Sequence, residues 1–147
     1  MKKITIKSAK KDELSWINSK YNEVNFVAST FENEYIVIAS VDNEKAGIGR
    51  LVRINNGHIE LGGIYVFPNF RGLGVAENIV KNLCNQNPFL PITIWCLPFE
   101  KLSEFYAKFG FKNCSDTKVP EKIATKLEWC NSKSKYDEKV VLLCKTR

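Results

Sequence analysis

Three β-branched, apolar runs separated by two short polar breaks fill residues 35 to 67, and no other feature of the chain restricts its fold as strongly. Tyr35 to Val41 (YIVIASV) has the residue types that suit a pleated surface. Asp42-Asn43-Glu44-Lys45 breaks it before a second run, Ala46 to Ile54. Asn55-Asn56-Gly57 is a tight-turn signal and leads into a third, His58 to Phe67. Breaks this short join antiparallel strands, because a parallel crossover needs a dozen residues or more.

The texture changes at Pro68. Asn69 to Gly74 reads as a loop, and Val75, Ile79, Val80 and Leu83 then recur at helical spacing to about Gln86. Pro88 and Pro91 bracket a turn before a buried strand, Ile92 to Leu97. Glu100 to Phe109 is an amphipathic helix with Gly110 at a natural C-cap position, and Phe111 to Cys114 resumes strand. Upstream, Ile4 and Ile6 alternate with polar residues as a first strand. Asp12 is a plausible N-cap for a helix carrying Leu14, Ile17 and Tyr21. Asn22 to Glu34 reads as a short helix or loop. Ser115 to Glu138 is polar, with Ile123, Leu127 and Trp129 hinting at a helix, and Val140 to Cys144 (VVLLC) is a last strand. Strands and helices in this order form one mixed α/β domain, and 147 residues suffice for its core.

Composition excludes several classes. An apolar share of 44% and an aromatic share of 12% are globular, and no run approaches the roughly 18 apolar residues of a membrane helix. Met1-Lys2-Lys3-Ile4 leads straight into strand-like sequence, so a cytoplasmic address and no membrane partner are expected. Cysteines 84, 96, 114, 130 and 144 show no C-x-x-C pair, which suggests reduced, mostly buried thiols and no disulfide framework. With His58 as the single histidine, no metal site is expected. The net charge of +6 is scattered rather than striped; it fits an anionic small molecule or a solvated surface better than a nucleic acid.

The chemistry concentrates in Ile59 to Ala76, where a strand ends, a glycine-containing loop follows and a helix begins. Helix starts present unpaired N–H groups that bind anions. Gly72 and Gly74 remove side chains that would keep a pyrophosphate away, and Arg71 adds a permanent cation. The spacing is neither G-x-x-x-x-G-K-[ST] nor G-x-G-x-x-G, since Glu77 stands where the third glycine belongs.

Arg71-x-x-Gly74-x-Ala76 does match [QR]-x-x-G-x-[GA], the acetyl-CoA signature of the GNAT acetyltransferases. Tyr65-Val66-Phe67-Pro68 with Arg71-Gly72 resembles that family's strand exit, and Phe105-Tyr106-Ala107-Lys108-Phe109-Gly110-Phe111 resembles its Y-x-x-x-G-F element. The resemblance runs from about Ile4 to Phe111. It implies a single N-acetyltransferase domain over residues 1–147, with a central, largely antiparallel twisted sheet, splayed between strands four and five and flanked by helices. A bulge is expected at Gly62-Gly63. Acetyl-CoA would lie along the amides of Ile64, Tyr65 and Val66, its pyrophosphate on Arg71, Gly72, Leu73, Gly74, Val75 and Ala76. Tyr106 corresponds to the family's general acid. Many members carry an asparagine seven residues before this tyrosine, against the pantetheine. Phe99 stands there, with Ser103 as a substitute contact.

Glu60, on the fourth strand, is the candidate general base, with a structural carboxylate as the plain alternative; His58 reads as a surface histidine. Trp16, Trp129, Tyr21 and Phe26 are candidates for an acceptor pocket or for core. The leading expectation is acetyl transfer to a small-molecule or peptide amine. An acyl-CoA-binding module without efficient chemistry, and a nucleic-acid-binding domain resting on charge alone, are the alternatives. The sequence leaves the acceptor and a homodimer open.

Overall fold

The structure is a computed structural model that describes residues 2–89, 93–114, 118–132 and 138–146. Seven strands run in the order β1 (Ile4–Ser8), β2 (Glu34–Val41), β3 (Glu44–Asn55), β4 (His58–Val66), β5 (Thr93–Cys96), β7 (Leu143–Thr146) and β6 (Lys112–Asn113). The helices are α1 (Leu14–Glu23), α2 (Val75–Asn85), α3 (Ser103–Ala107) and α4 (Glu121–Cys130). This is the expected mixed α/β fold. Among the pairings that position the site, β4 with β5 is parallel and the others are antiparallel. Among the described residues no helix is long and apolar enough to cross a membrane.

The chain forms two compact units, Met1–Val52 with Gly63–Phe89, and Arg53–Gly62 with Leu90–Arg147. In the first unit, β2 and β3 are joined at Asp42 and Asn43, which both take left-handed φ, +49° and +73°. Two such residues make the turn whose twist suits a hairpin, so β3 starts at Glu44 rather than at Ala46. Alternation along β3 sends Ile48 toward α1, where it packs with Ile17, Tyr21, Ile36, Ile38 and Tyr65. The opposite face of β3 shows Gly47 and Gly49 to α2. A Cβ on Gly49 would run into Ile79 Cγ2 and lie 2.9 Å from Ile64 Cδ1. Those two glycines let α2 sit directly on the strand with Val75, Ile79, Val80 and Leu83 buried.

In the second unit, β4 pairs with β5 from His58↔Thr93 to Leu61↔Cys96, and β7 covers the other side of β5. Trp95, Cys114, Ile123 and Cys144 form its core.

Several sequence expectations change. Asp12 is not the N-cap: a 3-10 turn, Lys11–Glu13, precedes α1, and the Glu13 carboxylate accepts the Lys10 N–H at 2.9 Å. The segment between α1 and β2 is a loop. The helix expected from Glu100 begins as a 3-10 turn, Glu100–Leu102, before the short α3; Gly110 closes it at φ +93° as expected. The last strand begins at Leu143, because Val140 bridges to Phe99 and the Val141 N–H goes to Pro98 O, 2.9 Å. Two cysteines are not free thiols. Antiparallel β6 and β7 bring Cys114 and Cys144 to a Cα separation of 5.8 Å, where they form a disulfide that a 30-residue spacing gave no sign of. Pro91, Ile92 and parts of the 115–138 stretch lie outside the described residues.

Gly49→Ala should destabilise the protein by about 1–3 kcal/mol, since the new methyl has no room beneath α2. Urea denaturation measures it, and a wild-type midpoint would contradict the close α2–β3 packing.

Candidate active site

β4 ends at Val66, and Phe67 continues extended into a 3-10 turn, Pro68–Phe70. The Phe67 N–H donates to Ala46 O and the Phe70 N–H to Phe67 O, which fixes the exit of the strand. Exposed Arg71 folds back so that its Nε–H donates to Val66 O at 3.3 Å. Gly72 and Gly74 then take φ +79° and +85°, values that few residues other than glycine adopt. α2 starts at Val75 with no side chain capping it. Its first amides therefore lack intrahelical partners; the Asn78 N–H to Gly74 O, 3.1 Å, is the bond that opens the ladder.

The surroundings of this turn fit a phosphate. A Cβ on Gly72 would meet nothing within 4 Å, and one on Gly74 only Asn78 Nδ2 at 3.9 Å. The dipole of an eleven-residue helix and the Arg71 guanidinium both favour an anion here. Glu77, exposed in the first turn, works against them.

Upstream, at the position where a bulge is expected, Gly63 takes a left-handed φ of +60° inside β4. Ile64 and Val66 are half-buried and Tyr65 is buried among the α1-side residues. The β4–β5 ladder ends at Leu61↔Cys96, so residues 64–66 continue past the last β5 pair.

The second unit holds the acid–base candidates. Glu60 is 8% exposed, and Lys126 Nζ of α4 donates to its Oε2 at 2.6 Å. Lys126 was not legible in the sequence; its one signal is a position three residues from Ile123 on the helix hinted at there. His58 is not a plain surface residue. The Trp95 indole N–H donates to its Nδ1 at 3.0 Å, which assigns the ring proton to Nε2 while that bond holds. Tyr106 is buried on α3, with Phe105 and Phe111 rings 5.0 and 5.9 Å away. Ser103 is half-buried at the start of α3 and lines a cavity of about 690 Å³ with Glu104, Ala107, Leu127 and Leu142. Tyr106 is not among its walls, so the two candidates on α3 face different surroundings. Phe99 is half-buried, its backbone bridged to Val140.

Of the proposed acceptor-pocket aromatics, Tyr21 and Phe26 meet at 5.7 Å and Phe26 meets Tyr65 at 6.4 Å. Trp16 packs on Phe67, 5.9 Å. Trp129 lies in the other unit and is 47% exposed. Sequence reasoning also passed over Arg50, buried in β3 beside Tyr21. Among the described residues no group of three His, Cys, Asp or Glu is arranged to hold a metal ion.

Residues 32–113, more than half of the chain, match the model of a family described as an acetyltransferase (GNAT) domain. Among curated proteins no sequence matches. Solved structures share the fold at low identity. An N-acetylglutamate synthase from Neisseria gonorrhoeae, complexed with coenzyme A and L-arginine, is 14% identical with a TM-score of 0.70. The match covers 97% of this chain and 33% of that one, so this chain spans about a third of the synthase. A GNAT family acetyltransferase from Elizabethkingia anophelis with acetyl-CoA bound is 18% identical, TM-score 0.65, covering 98% of both chains. A GNAT family acetyltransferase from Staphylococcus aureus Mu50 is 14% identical, TM-score 0.60, covering 98% of this chain and 99% of that one.

Proposed function

Because the chain belongs to the GNAT acetyltransferase family, we propose that it is a single N-acetyltransferase domain that moves acetyl from acetyl-CoA to a primary amine by direct transfer. The observation that carries this reading is the uncapped start of α2, opened by two left-handed glycines beside Arg71. The coenzyme A and acetyl-CoA in the Neisseria and Elizabethkingia structures support the choice of ligand.

Acetyl-CoA supplies an activated thioester when bound. The amides of residues 71–76 hold its pyrophosphate, and those of residues 64–66 align the pantetheine and donate to the thioester carbonyl. Ser103 offers a hydroxyl to the pantetheine where Phe99 supplies none. As the new C–N bond forms and the C–S bond breaks, Tyr106 gives a proton to the departing sulfur. Reference values near roughly 10 for phenol and 8.5 for thiol make that transfer feasible. Glu60 takes the amine proton through water. The acceptor is a small-molecule or peptide amine.

The Glu60–Lys126 pair favours a second reading, because a carboxylate already engaged by an ammonium is poorly placed to accept a proton. That reading is an acyl-CoA-binding module of the same fold. Release of coenzyme A on adding an amine separates the two.

Gly74→Val should abolish coenzyme A binding in isothermal titration, since a branched side chain at φ +85° fills the approach to the amides. Unchanged affinity in the folded variant would move the phosphate elsewhere.

Tyr106→Phe should lower kcat at least roughly tenfold, the low side of what general acids contribute. Acetyl-CoA affinity should hold, because the ring stays. Wild-type turnover with chemistry rate-limiting would leave Tyr106 as packing.

Glu60→Gln should depress kcat/KM for an alkylamine and erase an acidic limb of its pH profile. An arylamine arrives deprotonated and should be spared. Equal losses for both amines would remove Glu60 from the proton path.

A further inference from the structure

The face of β4 toward α1 carries a buried polar cluster that the transfer scheme does not use. Tyr21 is fully buried, and its hydroxyl donates to Gly63 O at 2.7 Å. Arg50 is 9% exposed, with its guanidinium 4.6 Å from the Tyr21 ring centroid. A Cβ on Gly63 would lie 2.6 Å from the Tyr21 hydroxyl and 2.8 Å from Arg50 Nε, so both side chains press on the residue at which β4 turns left-handed. Burial pushes the Tyr21 phenol well above its usual range, which keeps it a donor at any working pH.

The guanidinium continues into the loop between α1 and β2. Nη1 donates to Ser29 Oγ and Nη2 to Val27 O at 2.9 Å. Asn18 clasps the same serine backbone from α1, accepting the Ser29 N–H at 2.7 Å and donating to Ser29 O at 2.9 Å. Three non-glycine residues of this loop, Asn25, Phe31 and Asn33, hold positive φ. Such conformations cost on the order of 1–3 kcal/mol each and persist only where the surroundings over-determine them. No carboxylate among the described residues ion-pairs with Arg50. A methionine or leucine would fill the space beside Tyr21 but could not make these bonds to Ser29 and Val27, so packing alone does not account for the arginine.

We propose that Tyr21 and Arg50 are a positioning clamp for the acyl-transfer step, holding the Gly63 kink and so aiming the amides of residues 64–66. The inference rests on the acetyl-transfer reading for its consequence, but its geometry is independent of it. The hydroxyl fixes the Gly63 carbonyl, hence the plane of the Gly63–Ile64 peptide and the direction of the Ile64 N–H. Arg50 braces the tyrosine ring against the Ser29 loop so that the hydroxyl cannot swing away. Neither side chain needs to touch a substrate.

The test is Tyr21→Phe, with Arg50→Lys as a second variant that keeps the charge but loses the fork and the stacking. Two readouts are taken: amide hydrogen exchange of residues 63–66, and kcat against the acetyl-CoA dissociation constant. Exchange of these amides should speed at least tenfold, and kcat should fall by about 10-fold to 10²-fold, as a sub-ångström to 1 Å misplacement costs. Acetyl-CoA affinity should stay within about twofold, because the phosphate loop is untouched. Unchanged exchange in the folded variants overturns the clamp whatever kcat does. Faster exchange with wild-type kcat overturns its role in transfer. Should the wild type show no acetyl-CoA-dependent transfer to any amine, the activity reading fails and exchange alone decides the clamp.

Discussion

A β-strand normally commits every second amide to each neighbour, so it has none to give a ligand unless something interrupts the ladder. In β4 the backbone turns left-handed at Gly63. Its left-handed φ is held by the Tyr21 hydroxyl, and the β4–β5 pairs have already ended two residues earlier, at Leu61↔Cys96. The path of the next dozen residues depends on the direction taken there. The exit at Phe67 is tied to Ala46, the 3-10 turn comes next, and the two left-handed glycines deliver α2 onto β3 at the one place where Gly47 and Gly49 leave room for it. The geometry proposed to bind a phosphate is thus a consequence of how a helix is seated, not a loop added to a finished fold.

The acid–base side carries a conflict. A buried carboxylate needs a partner, and Lys126 supplies it for Glu60 at 2.6 Å. The same contact that makes the burial tolerable competes with the proposed role in deprotonating the acceptor. A water-mediated path relieves this only if the Glu60 oxygen not bonded to Lys126 faces the acceptor. Tyr106, the proposed acid, is packed against the rings of Phe105 and Phe111.

Much of this was legible in the sequence because the relevant signals are local. Period-two runs, the Asn-Gly turn and the Val75-to-Leu83 spacing placed β2, β3, β4 and α2 to within two residues, since each is decided by its own neighbours. The glycine spacing after Pro68 marks the turn into α2 for the same reason. What escaped was long-range. The Glu60–Lys126 pair spans 66 positions, the Tyr21–Gly63 bond 42 and the disulfide 30, and no pattern within a window reports such contacts. Arg50 looked like an ordinary polar residue of a strand, and only the fold shows it buried. The end of the chain misled in another way: VVLLC has strand composition throughout, yet its first half pairs with the Pro98–Phe99 connection and only Leu143 begins the β7 ladder.

We propose that the backbone of residues 71–76 binds the pyrophosphate of coenzyme A. Amide hydrogen exchange of the wild-type protein with and without saturating coenzyme A reads those N–H groups themselves. Slowed exchange centred on residues 72–76, with a weaker effect at 64–66, is the predicted result. Coenzyme A bound with no change in those amides, or with protection confined to other segments, would contradict it.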